Sequence, residues 1–191
     1  MRELTYLIAS TIDGRITGPN NDNPDFFLQE GDHAEFLRAE YPEIVPTHAR
    51  PLLGLEDASN QHFDTVLQGR GSWEIGRRCG LTNAYRHLRS IAFSRGITES
   101  PDPTVEFVDT DPVERVRELK REAGAGIWLC GGGKLAAALR PEIDVLVVKL
   151  HPVVAGTGVP MFDGDFFPEH LALTEARPFA DGIVHLTYAR R

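Results

Sequence analysis

The sequence predicts an α/β fold organised around a mixed β-sheet. Short apolar runs of strand length alternate with helix-forming stretches over most of the 191 residues, glycine-rich turns join strand to helix at two places, and two strand-like segments follow one another at the end. Alternation of this kind favours parallel strands linked by crossover helices, whereas consecutive strands favour an antiparallel hairpin.

Residues 4–9 form an apolar strand that enters the turn Ser10-Thr11-Ile12-Asp13-Gly14, and 15–17 resume extended structure. The polar stretch 19–25 reads as a surface loop, and 32–40 sets Phe36 and Leu37 among helix-forming residues. Pro42, Pro46 and Pro51 then predict an excursion over one edge of the fold. A strand over 64–68 runs through Gly69-Arg70-Gly71-Ser72 into a short helix ending near Arg78, and 89–94 form the next strand. After an extended 105–108, Asp109-Thr110-Asp111-Pro112 supplies capping oxygens and a first-turn proline. Val113, Val116, Leu119 and Ala123 give the following helix one apolar face. A buried strand over 127–130 turns at Gly131-Gly132-Gly133 into a helix over 134–139 that stops near Pro141. A long apolar strand covers 143–150, with Lys149 ending it in solvent and Asp144 available to orient nearby backbone or to lie at a subunit surface. The segment 152–160 is rich in proline and glycine, and strands 171–176 and 183–189 flank a turn longer than the minimal two residues.

Hydrophobic residues make up 41% and charged residues 25%, which supports one continuous core, and residues 1–191 read as a single domain without a linker. Twenty basic against 28 acidic side chains leave a net charge of −8, which argues against nucleic acid or an anionic membrane as partner. No apolar run approaches the ~20 residues needed to span a bilayer, and Met1-Arg2-Glu3-Leu4-Thr5 opens no secretory signal, so a cytoplasmic location is expected. Cys79 and Cys130 are too few for a disulfide scaffold. The seven histidines are dispersed without zinc-binding spacing, so no structural metal is expected. Phe26, Phe27, Phe162, Phe166 and Phe167 suit either a pocket wall or ordinary core.

The glycine turns have informative neighbours. At Gly131-Gly132-Gly133 small residues let backbone approach a phosphate at a helix's positive end, and Lys134 adds charge. A purely structural turn explains the same residues, because GGG is neither the Gly-x-Gly-x-x-Gly pattern nor a P-loop. Arg70 suits either a phosphate contact or a soluble surface, and Ser72 can add a hydrogen bond to phosphate. Trp73 suits an adenine or substrate edge or the core, and Ser94-Arg95 places a hydroxyl and a guanidinium after another strand, where solvent exposure alone also explains Arg95.

Taken in order, five segments resemble the dihydrofolate-reductase-like family, most closely the C-terminal reductase domain of bacterial bifunctional riboflavin-biosynthesis deaminase-reductases. They are residues 10–16, residues 69–74, Ser94-Arg95, residues 131–135 and residues 152–162, and the resemblance spans most of the chain. It implies a three-layer α-β-α fold whose mixed, mostly parallel sheet ends in a C-terminal antiparallel hairpin. It also implies NADPH as hydride donor and a homodimer. Carried onto this sequence, Gly69, Gly131, Gly132, Gly133, Lys134 and Leu135 surround the pyrophosphate, with Arg70 and Ser72 on phosphate. Ser94 and Arg95 lie near the adenosine 2′-phosphate, while Ser10 and Gly14 line the nicotinamide side. Gly71 stands where this branch often has a basic residue.

The implied chemistry is hydride reduction of a small polar or heterocyclic substrate, with 5-amino-6-(5-phosphoribosylamino)uracil or a pterin-like compound as candidates. Asp13 is the acidic candidate for catalysis, and a capping role through Gly14 competes with it. Solvent can also supply the proton. The alternative reading is a nonenzymatic nucleotide-binding or interaction module on the same fold.

Overall fold

Along the chain the elements are β1 (Leu4–Thr11), β2 (Arg15–Thr17), α1 (Asp32–Glu40), β3 (Phe63–Gly69), α2 (Arg70–Arg78), β4 (Arg89–Phe93) and β5 (Val105–Val108). They continue with α3 (Pro112–Arg121), β6 (Gly126–Gly131), α4 (Gly133–Leu139), β7 (Val145–His151), β8 (Val159–Pro160), β9 (Leu171–Pro178) and β10 (Val184–Arg190). This computed structural model describes residues 1–20, 25–97 and 99–191, so most of the loop expected at 19–25 lies outside the described residues.

Eight strands hydrogen-bond in the order β5-β4-β3-β6-β1-β7-β10-β9. The six from β5 to β7 run parallel, and β10 and β9 join antiparallel. The expected mixed sheet with its terminal hairpin is therefore present, and helices cover both faces. Leu4, Tyr6, Leu67, Ile91, Ile127, Leu129 and Val148 project to one side, where they pack with Val116 and Leu119 of α3 and Leu135, Ala136 and Leu139 of α4. The opposite parity, with Leu7, Val66, Trp128 and Val147, faces a second cluster that includes Tyr41 just after α1. Trp73 of α2 packs on that second face against Ala92 and Val105 and lies edge-on to Phe107. Its indole N–H donates to the Thr82 carbonyl at 2.9 Å, so it belongs to the core rather than to an adenine site.

Local chemistry explains the element ends. Asp111 accepts from the Val113 amide at 2.9 Å ahead of Pro112, which starts α3 as the sequence predicts. The helix stops at Arg121, leaving Ala123 exposed beyond it. Lys120 is buried instead, with its stem against the core and its ammonium on Asp144 at 2.7 Å. Asp144 also accepts from the Leu4 amide at 2.8 Å, tying β7 to the start of β1. Glu43, fully buried in the proline-rich excursion, accepts from the His62 and Phe63 amides at 2.6 and 2.9 Å and sets the entry into β3.

Two differences from the sequence reading are local. Within 152–160, which reads as loop, Val159–Pro160 pairs with β2 in a separate two-stranded sheet. Lys149 is half-buried rather than extended into solvent, because β1 and β10 flank it in the sheet.

Candidate functional site

The parallel strands all finish at one edge of the sheet, and their connections decide where that edge opens. From β3 the chain passes through α2 to β4 on one side, whereas from neighbouring β6 it passes through α4 to β7 on the other. Chains leaving adjacent strand ends in opposite directions open a crevice between them. Both glycine turns sit there.

The two glycine turns in this crevice lie at van der Waals distance from one another, and at Gly131 the geometry disfavours a side chain. A β-carbon on Gly69 would lie 3.5 Å from the Gly131 carbonyl oxygen and 3.6 Å from the Gly132 nitrogen. One on Gly131 would meet Ser72 Oγ at 3.3 Å, and Gly131 has φ 134°, a value that L side chains rarely adopt. The Gly131–Gly132 peptide is cis. Gly132 has nothing within 4 Å of its missing side chain and forms the open side. Gly69 and Gly132 occupy the N-cap positions of α2 and α4, so neither helix has a side-chain cap on its first-turn amides. Gly133 serves another purpose: a β-carbon there would overlap the Pro160 carbonyl, and its own carbonyl accepts from the Asp163 amide at 3.0 Å.

Cations surround the opening. The exposed Arg70 bonds Glu74 at 2.8 Å, and its Nη1 lies 3.5 Å from where a Gly96 side chain would begin, so it reaches the turn after β4. Ser94 is buried, accepting at Oγ from the Gly96 amide at 3.3 Å, while Arg95 beside it is exposed. Lys134 is exposed at the start of α4, and neither it nor Arg95 has a carboxylate partner among the described residues. Leu135 is core, which leaves only its main chain to the crevice.

At the end of β1, buried Ser10 donates to the Thr11 carbonyl at 3.0 Å. The Asp13 carboxylate accepts from the Thr11 hydroxyl at 2.6 Å and from the Ala155 and Gly156 amides at 3.0 and 2.7 Å. The Thr11 hydroxyl first, then these amides, hold its pKa down at about 2. At neutral pH it is an acceptor that fastens the 153–157 segment. Gly14 continues the junction, its carbonyl accepting from the Met161 amide at 3.0 Å.

The fold also assembles side chains that are scattered in sequence. Lys149 lies opposite Ala9 on β1 and His185 on β10, and His151 follows two residues later on the same face. Phe27 packs on the His151 ring at 4.5 Å, Phe36 on His185 at 5.4 Å, and His33 of α1 meets His151 at 5.8 Å. Burial first, then the charge of Lys149, depresses both His151 and His185 to about 4. Period-two spacing within 145–151 was the available sequence signal, since it puts Lys149 and His151 on one face; pairing with His185 depends on sheet order. Asp32, His33 and Asp181 also converge, but on one another and on backbone. His33 Nδ1 bonds Asp181, and Asp32 accepts from the Ala180 amide at 2.9 Å, latching α1 to the β9–β10 turn.

The other phenylalanines divide their roles. Phe162 meets Tyr6 edge-on at 5.4 Å, whereas Phe166 and Phe167 are exposed, the latter beneath Arg140. A hollow of about 580 Å³ lies between the 47–60 excursion and His87. Its Arg50 is engaged with the Pro42 and Ala58 carbonyls. Among the described residues no helix is long and apolar enough to cross a membrane.

The sequence matches no protein-family model. Two relatives from Bacillus subtilis (strain 168) align along nearly all of it. The uncharacterized protein YyaP is 26% identical over 200 residues, covering 98% of this chain and 94% of the relative. The uncharacterized protein YwjB is 29% identical over 193 residues, covering 99% and 98%. Among solved structures, a protein from Shewanella sp. PV-4, provisionally ascribed to riboflavin biosynthesis, superposes with TM-score 0.69 at 20% identity over 100% of this chain and 99% of that one. A diaminohydroxyphosphoribosylaminopyrimidine deaminase/5-amino-6-(5-phosphoribosylamino)uracil reductase from Thermotoga maritima gives TM-score 0.65 at 16% identity. This chain is covered completely and spans 57% of the Thermotoga chain. These likenesses establish a dihydrofolate-reductase-like three-layer fold.

Proposed function

We propose that this protein is an NADPH-dependent reductase of a small polar or heterocyclic substrate. The observation that carries the reading is the junction of two glycine turns in the β3/β6 crevice, flanked by Ser72 and by Arg70, Arg95 and Lys134 in a chain of net charge −8. A dinucleotide fits because the missing side chains at Gly69, Gly131 and Gly132 let its diphosphate reach first-turn amides of α2 and α4. Arg70, Ser72 and Lys134 would hold that diphosphate, aided by the backbone of Gly133 and Leu135. Ser94 and Arg95 would take the 2′-phosphate, with the Arg95 guanidinium binding two of its oxygens.

Ser10 and Gly14 would border the nicotinamide, and bound NADPH supplies a hydride. Asp13, committed to three donors, would act by positioning the 153–157 segment rather than as the proton source. The Thermotoga likeness favours 5-amino-6-(5-phosphoribosylamino)uracil as substrate, whereas a pterin-like compound and a homodimer follow only from the resemblance of the sequence motifs.

The test is paired equilibrium titration with NADPH and NADH. Wild-type protein is expected to prefer NADPH, and Arg95→Ala to lose about tenfold or more in NADPH affinity with little change for NADH. Equal losses, or no preference in the wild type, would remove the 2′-phosphate assignment. NADPH binding without turnover across uracil and pterin substrates would favour a nonenzymatic nucleotide-binding module.

A further inference from the structure

We propose that the sheet face beneath α1 binds a small-molecule oxyanion, a carboxylate or a phosphate, with the Lys149 ammonium as anchor and the ring nitrogens of His151 and His185 as hydrogen-bonding walls. This deepens the reductase reading by assigning a charge class to its substrate, and only the identification of the oxyanion as substrate rests on that reading.

The geometry begins with three central strands. Ala9 on β1 and Lys149 on β7 pair directly, and Cys130 on β6 lies on the same face two residues back at the level of Leu7. All three retain partial exposure although their strands lie inside an eight-stranded sheet. Solvent therefore reaches the middle of this face beside the end of β1. His151 and His185 edge the opening from β7 and β10, each more than nine-tenths buried. His151 Nδ1 and His185 Nε2 are buried without a hydrogen-bond partner. A buried polar nitrogen left unbonded is costly, and His185 level with Lys149 and His151 two residues further along β7 leave two such nitrogens on one side of the sheet.

Charge accounting points to an anion. No carboxylate pairs with Lys149 among the described residues. Of the groups facing it, Cys130 is pushed up to about 11 by burial and Tyr85 well above its ordinary value, so neither is an anion at neutral pH. Asp181 is bound to His33, and Arg177, with its ring contacts to Phe36 and Phe179, adds positive charge. Glu40 and Glu175 line a hollow of about 120 Å³ together with Arg177 and His185, and neither carboxylate forms an ion pair with Lys149 among the described residues. Lys149 is thus a half-buried ammonium without a counter-ion, and burial lowers its pKa. An oxyanion there would restore the ammonium's lost electrostatic partner and accept an N–H from each neutral imidazole.

Acetate and inorganic phosphate titrations, followed by the imidazole NMR signals of His151 and His185, test the site in the full-length protein. Saturable movement of both signals is expected with at least one anion, in wild type and in Arg95→Ala alike, because Arg95 belongs to the other crevice. Lys149→Met should weaken binding at least about tenfold, and Lys149→Gln provides a polar second variant should the first fail to fold. The proposal is overturned if neither anion gives a saturable shift, if both Lys149 variants titrate like wild type, or if Arg95→Ala abolishes the response. NADPH binding is measured on the same samples. Its absence beside an intact anion response would sink the reductase reading alone, whereas intact NADPH binding without an anion response would sink this proposal alone.

Discussion

Mild acid should destabilise this protein before its carboxylates titrate, and His151 and His185 set the size of the effect. Each is pushed from 6.5 to about 4 in the folded chain, chiefly by burial. A depressed histidine pKa means that the unfolded chain binds more protons below pH 6.5. Stability is therefore complete above that value and declines until about pH 4. For one such histidine, the loss between pH 7 and pH 5 is about 2 kcal/mol. Two independent histidines would lose about 4 kcal/mol, an upper bound because the value for His185 already includes repulsion from the charged His151 ring. His87, also depressed, adds in the same direction. The carboxylates of Asp13, Asp102 and Asp181 are depressed, so their contributions disappear only below their unfolded value near 3.8. Urea denaturation at pH 7 and pH 5 would measure the drop, with His185→Phe, whose ring would sit among Phe36 and Phe179, as comparison. The variant should lose about 2 kcal/mol less than wild type across the interval. Equal drops, or wild-type stability independent of pH, would refute the reasoning.

The adjacent glycines should separate packing from binding. Gly133→Ala drives a methyl into the Pro160 carbonyl and should cost about 1–3 kcal/mol in urea denaturation. Gly132→Ala, at φ −77° with nothing within 4 Å, should leave stability within about 0.5 kcal/mol of wild type yet weaken NADPH. A stable Gly133→Ala, or unchanged NADPH affinity in Gly132→Ala, would contradict these assignments. Asp13→Ala should accelerate hydrogen exchange at the Ala155 and Gly156 amides. If those amides stay protected while turnover is lost, Asp13 acts as an acid rather than as a clamp.

Much of the architecture was legible because local rules agreed with the tertiary outcome. The helix expected over 32–40 and the strand over 105–108 form at those bounds, and α3 begins at the capped proline. The glycine turns were visible as strand-to-helix punctuation. Their mutual contact was not, because β3 and β6 become neighbours only when the chain returns across the sheet after β5. Ala123 illustrates the opposite error: spacing continued the apolar face past Leu119, but the helix ends at Arg121 and Lys120 takes the buried place. Gly133 reads as a backbone contact for phosphate, and its missing side chain also admits the Pro160 carbonyl, an approach made by a distant segment that local sequence does not show.

By itself the sequence determined the alternation of strands and helices, the excess of acid and the residues at each strand end, since these follow from periodicity, turn chemistry and composition. Tertiary structure decided which strand ends adjoin and which buried groups lack partners. Strand order juxtaposes Gly69 with Gly131, and pairing between β7 and β10 brings His185 beside Lys149. Those encounters are non-local: they depend on pairing register and on what covers each face, and neither is encoded within the few residues on either side of the groups that meet.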